Sequence, residues 1–176
     1  HQGSIVLEED GKKLGRSPIA YLPQLEKITS SLTTFETILL GLTKTLSWKV
    51  SEAQLAKVSQ VIRELKLDAF ANTPVRSLSG GQKQLVFLAQ SFVSEPRLLL
   101  LDEPTSALDV RHQLVVMETV HRYCKKRNAV ALYVIHDLML ASRFSDAVLF
   151  LHNGMAHAFD TPDAVLNSET IDPIYQ

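Results

Sequence analysis

Two acids, Asp102 and Glu103, follow directly on the apolar run Leu98 to Leu101. A short continuous aliphatic run bounded by turn residues reads as a strand covered on both faces, and in open α/β sheets ligands bind beyond the C-terminal ends of strands. Asp102 there can hold Mg2+, directly or through water, because a hard cation selects carboxylate oxygen and keeps most of its waters when it accompanies nucleotide phosphates. Glu103 can orient and deprotonate an attacking water. Taken alone, the same two acids also read as a solvated turn that begins a helix.

Other residues gain meaning from their places. Leu78-Ser79-Gly80-Gly81-Gln82 precedes the apolar positions Leu85 and Leu88 of a helical pattern. Its backbone N–H groups and the Ser79 hydroxyl would emerge from a helix N-terminus, where two glycines let the chain approach a phosphate closely. The plainer alternative is an N-cap serine and a flexible turn. His136, past the apolar run Ala129 to Ile135, is expected on the same sheet edge as the acids. It can donate a hydrogen bond to a terminal phosphate oxygen, or be an ordinary loop histidine. Gln24, after the strand candidate Ile19 to Leu22 and Pro23, can touch a metal-bound water. Ser106-Ala107-Leu108-Asp109 fits a capping box for the next helix and equally a role at a subunit interface. His112, His121, His152 and His157 lack the paired spacing of a metal site.

The elements that would position these groups follow from periodicity. Ser4 to Leu7 reads as a strand entering the turn Glu8-Glu9-Asp10-Gly11. Phe35, Ile38, Leu39 and Leu42 share one helical face, weakened by Gly41. A second helix starts at Ser51 as N-cap, with an inward stripe Leu55, Val58, Val61, Ile62 and Leu65. The helix after Gly80-Gly81 stops before Pro96. A helix with Leu114, Met117 and either Val120 or His121 inward separates the two buried strands, and a shorter one spans Leu138 to Phe144. Asn153-Gly154 is a two-residue hairpin turn between Ala147 to Leu151 and Ala156 to Phe159. Thr161 as cap and Pro162 at the first helical position open a terminal helix. Alternating strands and helices predict an α/β core with parallel pairing, into which residues 35–95 insert a helical arm.

Composition narrows the function. Lys+Arg 18 against Asp+Glu 19 leaves no surplus of positive charge, which argues against holding nucleic acid by counterion release. The longest apolar run is far short of a membrane span and the first residues do not resemble a signal peptide, so a cytosolic protein is expected. The single cysteine, Cys124, falls in a helical pattern and is expected as a packed thiol.

Together these segments resemble the nucleotide-binding subunit of an ABC transporter. Leu78 to Gln82 matches the LSGGQ signature, Leu98 to Glu103 the Walker B strand with its catalytic glutamate, and Ser106 to Asp109 the D-loop. His136 matches the switch histidine and Gln24 the Q-loop glutamine. The run Thr105 to Leu114 and the ending Ile174-Tyr175 look most like ATPases of importers for iron-siderophore, haem or vitamin B12.

The resemblance implies a P-loop NTPase-like α/β domain over 1–176. Residues 35–95 would form its helical subdomain and 96–176 the Walker B and switch-histidine part. It implies ATP and Mg2+ as cofactors, with Asp102 and Gln24 at the metal and Ser79, Gly80, Gly81, Gln82 and Asp109 at the nucleotide interface. Glu103 and His136 would be the catalytic residues. It further implies a head-to-tail pair of ATPase subunits, membrane permease partners, indirect dependence on a solute-binding protein, and a place on the inner face of the cell membrane.

One departure stands out. No G-x-x-x-x-G-K-[ST] phosphate loop occurs in the sequence; Gly11-Lys12-Lys13 has no glycine five residues earlier and no Ser or Thr after the lysine. The chain is therefore expected to start beyond the Walker A strand and helix, as a truncated or an incomplete ATPase. A soluble ABC-type ATPase of repair or translation, and a non-catalytic module that donates only its signature, are the alternatives.

Overall fold

The structure is a computed structural model and describes residues 6, 8–9, 11–13, 19–24, 30–45 and 50–172. Most of the expected strand Ser4 to Leu7 and the ending Ile174-Tyr175 lie outside the described residues. Two compact units divide the chain, His1–Tyr133 and Val134–Gln176.

The first unit begins with a small antiparallel ribbon, β1 (Glu8–Glu9) against β2 (Lys12–Lys13), around Gly11 at φ 73°. The two glutamates expected in the turn are thus in a strand, because the positive φ of Gly11 lets the chain reverse within fewer residues. The sheet that matters is β3 (Ile19–Leu22), β4 (Leu98–Asp102) and β5 (Val130–Val134), in that order. β3 and β4 run parallel, with Leu22 beside Leu101 and Ala20 beside Leu99. This register sets Pro23 and Gln24 next to Asp102 and Glu103 at one strand end.

Helices cover one face of the sheet. α1 (Thr34–Leu39) starts with a full capping box, Thr33 exchanging hydrogen bonds with Glu36, and continues as a 3-10 turn over Leu40–Thr45. The change of pitch falls at Gly41, where a Cβ would collide with the Gln90 carbonyl of α3 (Gly80–Phe92). Gly41 therefore marks a close helix approach. α2 (Glu52–Glu64) is capped by Ser51 and buries Val58, Val61 and Ile62, whereas Leu55 at its start stays exposed.

α4 (Val110–Arg127) turns Val116, Met117, Val120 and Tyr123 inward. Val120, not His121, is the buried member of that pair, and His121 is exposed. The Phe92 and Tyr123 rings stack at 4.0 Å and the Tyr123 hydroxyl donates to the Pro96 carbonyl at 2.9 Å, tying α3, its exit turn and α4 together. Burial pushes the Tyr123 phenol well above its usual range. Cys124 is half-buried and packs against the same core.

Within the first unit, the described residues leave the opposite face of the sheet largely exposed. Tyr21, Val130 and Leu132 are 60%, 62% and 63% exposed, while their strand neighbours Leu22, Ala131 and Tyr133 face the core, as the two-residue period of a strand requires.

The second unit has α5 (Leu138–Phe144), the antiparallel pair β6 (Val148–His152) and β7 (Met155–Asp160), then α6 (Pro162–Val165) and α7 (Ser168–Ile171). Asn153 and Gly154 both take positive φ, the two-residue turn expected there. Leu140, Ala141 and Val165 form its buried residues. Pro162 is at the start of α6, but Thr161 does not cap it by its side chain; its backbone N–H instead donates to Asp160. That turn uses the acid before the threonine.

Candidate functional site

The C-terminal ends of β3 and β4 bring four polar groups together. Gln24 Nε2 donates to Glu103 Oε2 at 2.7 Å, and the Tyr21 hydroxyl lies 3.4 Å from Asp102 Oδ2. Asp102 and Glu103 are half-buried, at the mouth of a strand whose Leu99 and Leu101 are inside the core. Glu103 takes a left-handed backbone, φ 44°, which costs a non-glycine residue about 1–2 kcal/mol. Such strain persists only where the surroundings enforce it, here a turn in which Ser106 N–H and Oγ both donate to the Glu103 carbonyl.

That turn continues into α4 through Ala107, also left-handed at φ 58°. The N-cap of α4 is Asp109, whose Oδ1 accepts from the His112 N–H at 2.9 Å. Ser106 is not the cap the sequence suggested; its hydroxyl is committed to the Glu103 carbonyl. The carboxylate of Asp109 also meets His112 Nδ1 at 2.8 Å. The backbone N–H of His112, then its ring, hold the Asp109 carboxyl below the ordinary carboxylate range.

Ser79 to Gln82 forms a helix start with its own capping box: Ser79 Oγ accepts from Gln82 N–H at 3.3 Å, and Gln82 Oε1 accepts from Ser79 N–H at 2.9 Å. The first helical bond of the segment is Lys83 N–H to the Ser79 carbonyl, so the amides of Gly80 and Gly81 precede it and have no partner within the helix. Ser79 and Gly80 are exposed, and Gly81 is buried.

In the second unit, His136 is exposed and stands two residues beyond β5, directly before the cap of α5. Asp137 is that cap, its Oδ1 accepting from Met139 and Leu140 N–H at 2.9 and 3.0 Å.

Among the described residues no three His, Cys, Asp or Glu side chains gather to hold a metal by themselves. Asp102 at its strand end, with the Gln24 amide close by, fits the partial ligand set that Mg2+ accepts when phosphates and waters fill its other positions. Tyr21 was not expected from the sequence. Its position three residues before Gln24 on a strand was the only signal, and that signal needs the identity of the neighbouring strand.

This arrangement of a parallel strand pair, an acid pair at its end and a glycine-started helix defines a class. The chain belongs to the ATP-binding domain family of ABC transporters: the family model described as "ABC transporter" matches residues 1–106. An uncharacterized ABC transporter ATP-binding protein of Methanocaldococcus jannaschii is 35% identical across 99% of this chain and 70% of its own length. The achromobactin transport ATP-binding protein of Dickeya dadantii is 32% identical across 89% of this chain and 59% of its own. A hemin import ATP-binding protein of Rhodopseudomonas palustris is 39% identical across 66% of this chain and 47% of its own. The chain thus spans between about half and 70% of these relatives.

Among solved structures, an inward-facing conformation of a metal-chelate type ABC transporter superposes with a TM-score of 0.85 at 26% identity, over 94% of this chain and 66% of that one. An ATP-binding cassette of an ABC transporter, at 20% identity and a TM-score of 0.76, shows the fold alone. The fold is the P-loop NTPase-like α/β class. No described helix is long and apolar enough to cross a membrane.

Proposed function

We propose that this chain supplies the Walker B edge and the signature helix of an ATPase subunit that powers import of a solute through an ABC transporter. The observation that carries the reading is the 2.7 Å hydrogen bond from Gln24 to Glu103 across the ends of two parallel strands. It holds a carboxylate at the sheet edge where nucleotides bind in this fold class, with Asp102 beside it.

Mg2+ bound with the nucleotide would spread and neutralise the phosphate charge. Glu103 is the general base: it orients a water and takes its proton as the water oxygen bonds to the γ-phosphorus and the bond to the ADP oxygen breaks. Gln24 restrains the carboxylate in that orientation. His136, by its likeness to the switch histidine, hydrogen-bonds the transferring phosphoryl group. Ser79, Gly80 and Gly81 hold the γ-phosphate of a nucleotide bound mainly by a second subunit, with Gln82 fixing Ser79 through the capping box and Asp109 on the same subunit interface. Such donors act by position and charge, so each one removed raises the barrier.

The partners are a second ATPase subunit paired head to tail, membrane permease subunits, and indirectly a solute-binding protein. The place is the cytoplasmic face of the cell membrane, reached through the permease. The solute class is a metal chelate such as an iron-siderophore, haem or a cobalamin, supported by the hemin and achromobactin names of two relatives and the metal-chelate structure.

A second reading rests on the signature helix. Its Ser79 to Gln82 start, with the Gly80 and Gly81 amides ahead of the first helical bond, also suits a module that donates its signature to another subunit's nucleotide. One assay serves both. A family ATPase subunit with an intact phosphate loop and an inactivated signature is mixed with this chain, and phosphate release is followed. Stimulation by the chain, lost on Ser79→Ala, supports signature donation; no stimulation at saturating chain refutes it.

A further inference from the structure

The signature turn and the Ser106 to Asp109 turn approach each other at the side chains of His112 and Leu108. A Cβ built on Gly81 would clash with the edge of the His112 imidazole formed by Cδ2, Cγ and Nε2, the last at 3.0 Å, and one built on Gly80 would meet Leu108 at 3.6 Å. The ring is aimed there by Asp109, which accepts from the His112 backbone N–H and engages Nδ1 at 2.8 Å. Both turns belong to the same compact unit. Gly81 is α-helical, so its lack of a side chain answers to the space His112 occupies and not to backbone conformation.

We propose that His112 is a positioning residue: its ring, held by Asp109, braces Gly81 and makes the signature turn and the Ser106 to Asp109 turn move as one piece. The inference deepens the proposed function and rests on it for its catalytic consequence. Amides that must meet a phosphate held by another subunit need a fixed place, and a loose turn would lose part of that preorganisation. His112 itself touches no reacting atom; it acts through Gly80 and Gly81.

The test has one arm that needs no nucleotide. In the isolated chain, His112→Ala should speed amide hydrogen exchange at Gln82 and Lys83, whose N–H groups are bonded to Ser79, by about 10-fold or more while leaving α2 unchanged, and His112→Phe, which retains a ring but cannot engage Asp109, should speed it less. Gly81→Ala should lower the melting temperature in the native background and lower it much less in a His112→Ala background, a non-additivity expected only of touching groups. The second arm uses the mixed assay. His112→Ala should reduce kcat by about 10-fold with KM within about twofold, and His112→Phe, a ring without the Asp109 contact, should restore part of it.

Equal exchange in all three chains, or an equal penalty for Gly81→Ala with and without His112, would overturn the brace. Intact exchange effects beside unchanged kcat would overturn its catalytic role. If the native chain gives no stimulation at all, the proposed function fails, and the exchange and double-variant results still decide whether His112 braces Gly81.

Discussion

Gln24 and Glu103, separated by most of the helical region in sequence, are joined by a 2.7 Å hydrogen bond because β3 and β4 are parallel and in register at Leu22 and Leu101. A carboxylate aimed by a neutral amide remains a usable base, whereas a lysine in the same place would neutralise it. The Gln24 region therefore bears directly on the acid proposed to activate water, and a movement of that loop would change how Glu103 is aimed.

Nucleotide affinity of the chain by itself should be low. The sequence has no loop whose backbone and lysine cradle the β- and γ-phosphates, and the Ser79 turn offers only two or three donors. Calorimetric titration with Mg-ATP should give a Kd weaker than about 100 μM, which is about −5.5 kcal/mol of binding. Micromolar binding would contradict it.

Thr37 is 4% exposed on α1, and its hydroxyl finds no hydrogen-bond partner among the described residues. An unmet buried hydroxyl is costly, so Thr37→Val should stabilise the fold by about 1 kcal/mol, read as a higher urea midpoint with an unchanged slope. A lower midpoint would mean that the hydroxyl is satisfied in solution.

Acid should weaken the attachment of α2 to α4. Lys126 donates to Glu64 at 2.6 Å and, through that hydrogen bond first, holds the Glu64 carboxyl below its ordinary 4.5. A carboxyl with a depressed folded-state pKa stabilises above its unfolded value, and that part is lost as pH falls through the folded one. Stability should decline below about pH 4.5, and Glu64→Gln, which lacks this term, should decline less steeply. Denaturant midpoints of both chains measured down the acid range check the sign; parallel curves would remove Glu64 as a source.

The open sheet face should drive association. Tyr21, Val130 and Leu132 present apolar surface on one side of the sheet, and such patches are seldom left uncovered in solution. Light scattering should show concentration-dependent association of the chain that Leu132→Lys reduces. A native chain that stays monomeric at every concentration would contradict this.

Local chemistry made the strand and the helix starts readable. Four leucines before Asp102 define a strand without reference to anything distant, although Leu99 and Leu101 are buried and Leu98 and Leu100 only half-buried where cover on both faces was expected. The Ser79 and Ser51 caps follow from residue type and place. Spacing leaves the outcome open where two residues compete for one local role. Ser106 and Asp109 both favour caps, and Glu103's left-handed turn captured the serine, leaving the cap to Asp109. At α6, Thr161 holds the N-cap position as expected, but its side chain makes no cap hydrogen bond and its N–H donates to Asp160. Val120 and His121 share an edge of a helical face, and packing against the sheet chose the apolar one. The contacts of Tyr21 with Asp102 and of His112 with Gly81 depend on which strand and which turn become neighbours, and periodicity carries no such information.

The central claim is that Glu103 is the base of an ATPase site. The most direct measurement joins the phosphate-loop segment of a family member ahead of this chain and follows phosphate release by the native hybrid and by Glu103→Gln. The account predicts that the variant binds Mg-ATP within about threefold of the native hybrid, forms a nucleotide-trapped dimer, and turns over at least about 100-fold more slowly. Turnover by Glu103→Gln at the native rate would contradict it.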